Sequence, residues 1–354
     1  MDIKSFCLEQ FSRYPALEAQ DLVKALYQSE FGCGHLIADP IRGLAWLTEE
    51  MRSCQQAGSI ASPLAEPLGD TFCRVHLLAA AAIGLTAKTL FRLFELSGEP
   101  TGSMETFCAQ LDELEALIAS GALPLCACQA QPFLSAYRRA GCPATHHSEA
   151  FRAAYHPAYR VIRADFARFL ALFAAIDRLI SGGAPVTVAI EGSSATGKST
   201  LAALLARVYD CNVFHMDDFF LQMHQRTPER FAQPGGNVDY ERFREEILLP
   251  LSARKPFSYR PFSCASMTLS DPVQVEPKAL NIVEGAYSMH PTLAGFYDFS
   301  VFLKIDERLQ SERIFRRNGT QMLTRFLNEW IPLEKRYFDH FRIEDQCTLR
   351  IDVT

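Results

Sequence analysis

The stretch EGSSATGKST, residues 191–200, sets Gly192, four intervening residues, and then Gly197, Lys198 and Ser199 in a row. Consecutive backbone N–H groups in a loop of this spacing can wrap an anion, and the glycines permit close approach. Ser193, Ser194, Ala195, Thr196 and Thr200 fill out the same cradle. A helix opening near Gly197 points its positive end at the bound group. Lys198 suits the outer phosphates of a nucleoside triphosphate such as ATP, and the Ser199 hydroxyl suits Mg²⁺. The bland alternative, a Gly/Ser turn with a solvated lysine, lacks a reason for the apolar run before the loop and the helical pattern after it.

Two carboxylates and a cluster of arginines extend the chemistry. Asp217 in HMDDFFL follows an apolar run, where a carboxylate can take a proton from an attacking hydroxyl or help hold Mg²⁺. Asp217 and Asp218 could equally cap the next helix. Glu284 in IVEGAY also follows an apolar run and can order a metal or its water shell; its plain reading is a strand-end carboxylate without a partner. ERLQSERIFRRNG places Arg313, Arg316 and Arg317 on neighbouring faces of a helix ending at Asn318-Gly319. Such a helix can act as a lid that neutralises phosphoryl charge, or as a solvated helix paired with Glu307 and Glu312.

Positioning these groups requires strands that end together. VTVAI (186–190), CNVFHM (211–216), ALNIVEGAY (279–287), DFSVFLKID (298–306) and the terminal TLRIDV read as five strands, with helical patterns between them. The alternation predicts an α/β unit with a mostly parallel sheet covered on both faces. Its ligands belong beyond the carboxyl ends of the strands, where the Gly-rich loop, MDDFF and EGAY converge.

Residues 1–180 read differently. AQDLVKALYQSEF, PIRGLAWLTEEMRSC, TAKTLFRLFELSG, SMETFCAQLDELEALIASG and the run from Ala150 to Ile180 all space apolar residues by three and four. Ser103, Thr106 and Gly121 bracket one helix. No strand stands out, so an all-helical domain over 1–180 is expected. The SGGAP break then leads into a second domain over 185–354.

The bulk numbers narrow the class. The chain has 354 residues and a net charge of −6, with 15 basic and 19 acidic residues before position 184 and 20 and 22 after it. Neither half has the basic excess of a nucleic-acid binder. No apolar run is long enough to span a bilayer, and the first residues do not read as a signal peptide. Eleven scattered cysteines read as free thiols in a reducing compartment, the cytoplasm by default. Cys126, Cys128, Cys142, His146 and His147 lack the usual zinc spacing and read as small buried hydrophobes where cysteine is concerned. Glu30 and His35, with Arg74, His76, His156, Tyr159 and Arg160, could form caps and core-edge hydrogen bonds, or a second small-molecule site.

Taken in order, GSSATGKST, MDDFF, PGGNVDYERF, SYRPFSC, VEGAY and the arginine helix resemble the P-loop kinases of the uridine kinase, phosphoribulokinase and pantothenate kinase group. The likeness is strongest to uridine kinase-like proteins and covers 186–354. The resemblance implies Asp217 as the base that activates a sugar hydroxyl and Asp239 as a holder of ribose hydroxyls. It places Tyr259, Arg260 and Phe262 beside the acceptor, with Arg313 and Arg317, and Arg316 with them, in the lid. Lys198 then joins Asp217, Arg313 and Arg317 in catalysis, and Ser199 with Glu284 holds Mg²⁺. Two departures stand out. The histidine that the family usually carries a few residues beyond the tyrosine, for the base, is missing, with Cys264 near its place, and Glu191 replaces a small residue.

The expected activity is therefore ATP-dependent phosphorylation of a primary hydroxyl on a small molecule. A nucleoside comes first, then another riboside, a sugar or a vitamin-like alcohol. An ATP-sensing regulator, or a bifunctional protein acting through the helical half, are the other classes. The expected partner is the small hydroxyl acceptor, with no nucleic acid and no membrane; a homo-oligomer is left open.

Overall fold

The computed structural model describes residues 1–33, 39–57, 63–99 and 101–353. Its internal contacts divide the chain into two compact units, Met1–Asp177 and Arg178–Thr354.

The first unit is largely helical. It begins with α1 (Ile3–Arg13), α2 (Ala19–Phe31) and α3 (Pro40–Ala57), followed by strands β1 (Ala65–Leu68) and β2 (Phe72–His76). Then come α4 (Leu77–Ala82), α5 (Ala87–Leu96), α6 (Met104–Ala119), α7 (Ala127–Arg139) and α8 (Glu149–Tyr155). Strand β3 (Tyr159–Arg163), α9 (Ala164–Ala167) and α10 (Leu170–Ser181) close the series. Local chemistry sets several ends. Ser103 accepts from the Thr106 N–H at the start of α6, and Thr86 does the same for Thr89 at the start of α5.

The expectation that this half holds no strand is corrected. β1, β2 and β3 form an antiparallel sheet in that order, with Arg74 opposite Glu66 on one side and Val161 on the other. β2 is buried along most of its length, so it lacks the alternation that marks a half-exposed strand. Pro67 is tolerated because β1 lies at the sheet edge. The run from Ala150 to Ile180 is not one helix, because α8 ends where His156 turns left-handed at φ 43° and Pro157 follows.

The second unit contains the five expected strands: β4 (Val186–Gly192), β5 (Cys211–His215), β10 (Leu280–Glu284), β11 (Phe299–Ile305) and β12 (Leu349–Val353). They form one parallel sheet, ordered β12-β11-β4-β10-β5. Four short strands, β6 (Phe257–Tyr259), β7 (Phe262–Ser263), β8 (Thr268–Leu269) and β9 (Val273–Val275), pair as two small antiparallel ladders. Helices α11 (Lys198–Val208), α12 (Pro228–Ala232), α13 (Tyr240–Phe243), α14 (Leu249–Ala253) and α15 (Pro291–Ala294) intervene. α16 (Glu307–Arg325), α17 (Ile331–Phe341) and α18 (Ile343–Gln346) precede the last strand. β4, the Gly-rich loop and α11 make the α/β P-loop arrangement.

Register brings three strand ends level. Glu284 at the end of β10 pairs with Ile190 of β4 and with His215 of β5. The core beneath that edge packs Phe214, Met216, Phe219, Phe243, Tyr259, Tyr287 and Tyr337. Among the described residues, no helix is long and apolar enough to cross a membrane, and all eleven cysteines are free.

Candidate active site

β4 leads straight into the Gly-rich loop. Gly192 has φ 148°, and a Cβ there would lie 2.5 Å from the Leu303 carbonyl oxygen, so only glycine lets this strand end pass β11. The loop then turns through Ala195 (φ 64°) and Gly197 (φ 93°) into α11. Lys198 folds its Nζ back onto the Gly192 and Ser193 carbonyls, at 2.9 Å each. Thr196 donates to the Ser193 carbonyl at 2.9 Å, and Thr200 faces solvent on the first turn of α11.

Asp217 sits in the 3₁₀ turn Met216–Phe219, directly after β5. Its side chain is open to water yet ringed by protein at the sheet edge. Burial by that surround raises the Asp217 carboxyl above its usual value, and the Glu284 charge adds to this; Lys198, His215 and Arg317 pull it down. Asp218 is raised for the same first reason. Gly285 makes the neighbourhood this tight. At φ 142°, a Cβ on it would lie 2.6 Å from the Met216 Cβ, so the glycine lets Glu284 and Asp217 share one edge.

Glu284 is buried and has partners. Its Oε1 accepts from the Ser199 hydroxyl at 3.0 Å and contacts His215 Nδ1 at 2.5 Å. That hydrogen bond, with the negative charge behind it, raises the His215 pKa above its usual value. A hydroxyl and a carboxylate oxygen side by side form a hard-oxygen donor pair that fits Mg²⁺. Among the described residues no three His, Cys, Asp or Glu side chains group as a metal cage. Mg²⁺ at nucleotide sites needs no such cage, because it takes one or two carboxylates together with substrate phosphates and water.

The arginine helix is α16, interrupted at Gly319, which leaves helical geometry with φ 76° and ψ 178°. Arg313 reaches the loop, with Nη1 3.4 Å from the Ala195 carbonyl oxygen. Arg317 bonds the Asn318 side chain, and its charge bears on Asp217. Arg316 pairs with Glu312 on the exposed face.

Asp239 is tied to the Asp217 segment through its own N–H, which donates to the Phe219 carbonyl at 2.7 Å. Its carboxylate is buried; it caps α13 through the Arg242 N–H at 3.1 Å and accepts from the Gln225 amide at 2.8 Å. Tyr259 stacks on Phe219 at 5.7 Å between ring centroids, inside the core. Arg260 gives its guanidinium to the Ser270 and Leu269 carbonyls, bracing the small ladders. Phe262 is buried under Arg226. The edge thus gathers Lys198, Ser199, Asp217, Glu284, Arg313 and Arg317, while Tyr259, Arg260 and Phe262 engage the protein itself.

Three residues at this edge are not marked by the sequence motifs. His215 is the last residue of β5, and the strand-end logic that selects Asp217 also selects it. Glu334 on α17 holds Ser194 by its backbone N–H at 3.0 Å and also by its hydroxyl. Gln310 on α16 donates to the Ser194 carbonyl at 2.8 Å. Neither position has a spacing that announces it. Glu191, seen in sequence only as a departure, is fully buried. It accepts from the Gly192, Tyr287 and Met289 N–H groups and from the Tyr337 hydroxyl. Burial pushes its carboxyl up to about 7 against those donors.

In the first unit, Cys126 and Cys128 are exposed, which corrects the expectation of buried small hydrophobes; only Cys142 of the three is buried. Glu30 caps the start of α6 through Ser103 and binds Gln110. His35 lies outside the described residues.

Comparison with known proteins gives a consistent but coarse answer. No family model matches the chain, and no curated protein matches it. Solved structures similar to the P-loop half include a possible uridine kinase from Bacillus stearothermophilus, 20% identical, covering 51% of this chain and 99% of that one at a TM-score of 0.39. A D-glycerate 3-kinase from Cryptococcus neoformans is 15% identical, covering 44% and 80% at 0.33. A shikimate kinase from Bacteroides thetaiotaomicron is 17% identical, covering 48% and 86% at 0.26. The first half of the chain is not matched.

Proposed function

We propose that the second unit transfers the terminal phosphoryl group of ATP to a primary hydroxyl of a small molecule. The observation that carries this reading is the place of Asp217, a carboxylate at the sheet edge with Lys198, Glu284 and Arg317 all acting on its charge. A nucleotide switch has no use for a base at that point; a kinase has.

The geometry supports the following roles. The loop from Gly192 to Thr200 wraps the phosphates with backbone N–H groups, and Lys198 leaves its loop carbonyls for them. Ser199 and Glu284 would hold Mg²⁺, which supplies neutralising charge when bound. Asp217 aligns the acceptor hydroxyl and takes its proton as the phosphoryl group leaves ATP. A carboxyl raised above its usual value is a better base than an ordinary aspartate at neutral pH, provided it stays ionised. Arg313 and Arg317 close from α16 over the transferred group, and Gly319 gives that helix its break.

A nucleoside is the first acceptor to try, given the resemblance of the motifs, followed by sugars and other small alcohols because Cys264 stands near the usual base-binding histidine. The test is a screen of these compounds for ATP-dependent phosphorylation by the purified chain. One acceptor converted to its phosphate supports the reading. Steady ATP hydrolysis that no acceptor stimulates overturns it in favour of an ATP-sensing regulator.

A further inference from the structure

The first unit contains a relay of buried polar groups far more elaborate than its helices require. Asp21 on α2 accepts from the Glu18 N–H, the Ser148 N–H and the Ser148 hydroxyl, at 3.0, 3.0 and 2.7 Å. His147 Nδ1 lies 2.8 Å from the same carboxylate, and His147 Nε2 lies 2.7 Å from the Tyr159 hydroxyl. Burial lowers the His147 pKa, so the ring is neutral with a single N–H. Asp21 can only accept there, so that N–H is at Nδ1 and the bare Nε2 faces the Tyr159 hydroxyl, whose one proton is shared between Nε2 and the Gln28 Oε1 at 3.3 Å. A hydroxyl, an imidazole and an orienting carboxylate within hydrogen-bond reach form the arrangement of an activated side chain.

Two cations, Arg74 and Lys24, act on the His147 ring through their charge. Arg74 on β2 is almost fully buried, with its guanidinium over the Tyr159 ring at 5.2 Å. Its Nη1 donates to Gln10 and to Glu66, at 3.0 Å each. Burial alone would raise Glu66, but His76, Arg74 and Tyr14 together outweigh it and hold the carboxyl at about 2. Both buried carboxylates are therefore satisfied within the protein. The donors are not. Arg74 Nε and Gln10 Nε2 are buried without a hydrogen-bond partner. Lys24 on α2 feels the charges of Arg74 and Asp21; burial, with Arg74, lowers its pKa to about 8. Its Nζ donates to the Thr145 carbonyl, which carries no charge.

A network built only for stability ends with its donors paired, since each buried unpaired donor costs about 1–3 kcal/mol. Surplus donors beside an incompletely compensated ammonium call for an oxyanion. Lys24, His76 and Tyr159 remain partly open to solvent.

We infer that the first unit carries a second small-molecule site, formed by Lys24, Arg74 and the Asp21–His147–Tyr159 relay, for a ligand bearing a carboxylate or phosphate group. The oxyanion sits on Lys24 and Arg74. A ligand O–H or N–H beside Tyr159 can give its proton to the phenol oxygen while the phenol proton passes to His147 Nε2. The ligand is left deprotonated, and the imidazolium is stabilised by Asp21.

The test is calorimetric titration of the full chain with inorganic phosphate and, separately, with succinate. Each is repeated on Lys198→Ala, which disables the P-loop, and on the double variant Lys24→Gln/Lys198→Ala. Lys24 is only partly buried, so its replacement should leave the fold intact, and an unchanged circular dichroism spectrum and thermal unfolding profile verify it. At least one anion should bind Lys198→Ala with one-to-one stoichiometry, and the double variant about tenfold or more weakly. Preference for phosphate points to a phosphorylated ligand, and preference for succinate to a carboxylic acid. No binding of either anion to Lys198→Ala, or equal binding to Lys198→Ala and the double variant, overturns the site.

Discussion

Glu334 of α17 clasps Ser194 at the centre of the Gly-rich loop, taking both its backbone N–H and its hydroxyl. The contact spans 140 residues of sequence and makes α17 part of the phosphate loop's support. Burial raises the Glu334 carboxyl above its usual value, with Lys198 opposing. Glu334→Ala strands the Ser194 N–H in a part-buried site. It should lower the unfolding free energy of the second unit by about 1–3 kcal/mol, and Glu334→Gln, which keeps one acceptor, by less. Urea unfolding followed by Trp330 fluorescence in a Trp46→Phe background reads this. An alanine variant as stable as wild type would show that the clasp does not brace the loop.

Glu191 makes stability depend on pH in an unusual direction. Its folded pKa of about 7 lies above the reference value of 4.5. Its contribution is therefore fully present below pH 4.5 and is lost as pH rises through 7, to a total of about 3 kcal/mol. The difference in unfolding free energy between wild type and Glu191→Gln should shift against wild type across that window. A difference that stays flat from pH 4.5 to 7.5 contradicts the burial argument.

His215 and Glu284 form the pair that the sequence motifs leave unmarked. The raised folded pKa of His215 means that their pairing stabilises the fold below about pH 6.5 and fades as pH climbs past the folded value. Histidine NMR should give His215 a titration midpoint above 6.5, and Glu284→Gln should lower it. An unchanged midpoint in that variant would remove Glu284 as the cause.

Much of the second unit was legible because its signals are local. β-branched and aromatic runs marked all five sheet strands, and the glycine spacing of 192–197 marked the loop. Asp217 and Glu284 were legible as edge residues because each follows a strand run in the sequence: Glu284 ends the buried β10, and Asp217 lies in the turn just after β5. The first unit hid its sheet for the opposite reason: β2 is buried along all but its last residue, β1 contains Pro67, and β3 sits within a run of helical spacing. His156-Pro157 was the available clue to that break. Glu334 and Gln310 could not be read, since their roles exist only once α16 and α17 pack on the loop. The relay of Asp21, His147 and Tyr159 likewise draws on residues more than 120 positions apart.

Replacing the carboxylate of Asp217 tests the central claim most directly. With the acceptor found in the phosphorylation screen, Asp217→Asn should lose about 10²–10⁴-fold in turnover. Its ATP dissociation constant should stay within a few fold of wild type, since the loop, Lys198 and Ser199 are untouched. Near-normal turnover in Asp217→Asn would contradict the assignment of Asp217 as the base, and with it the proposed kinase mechanism.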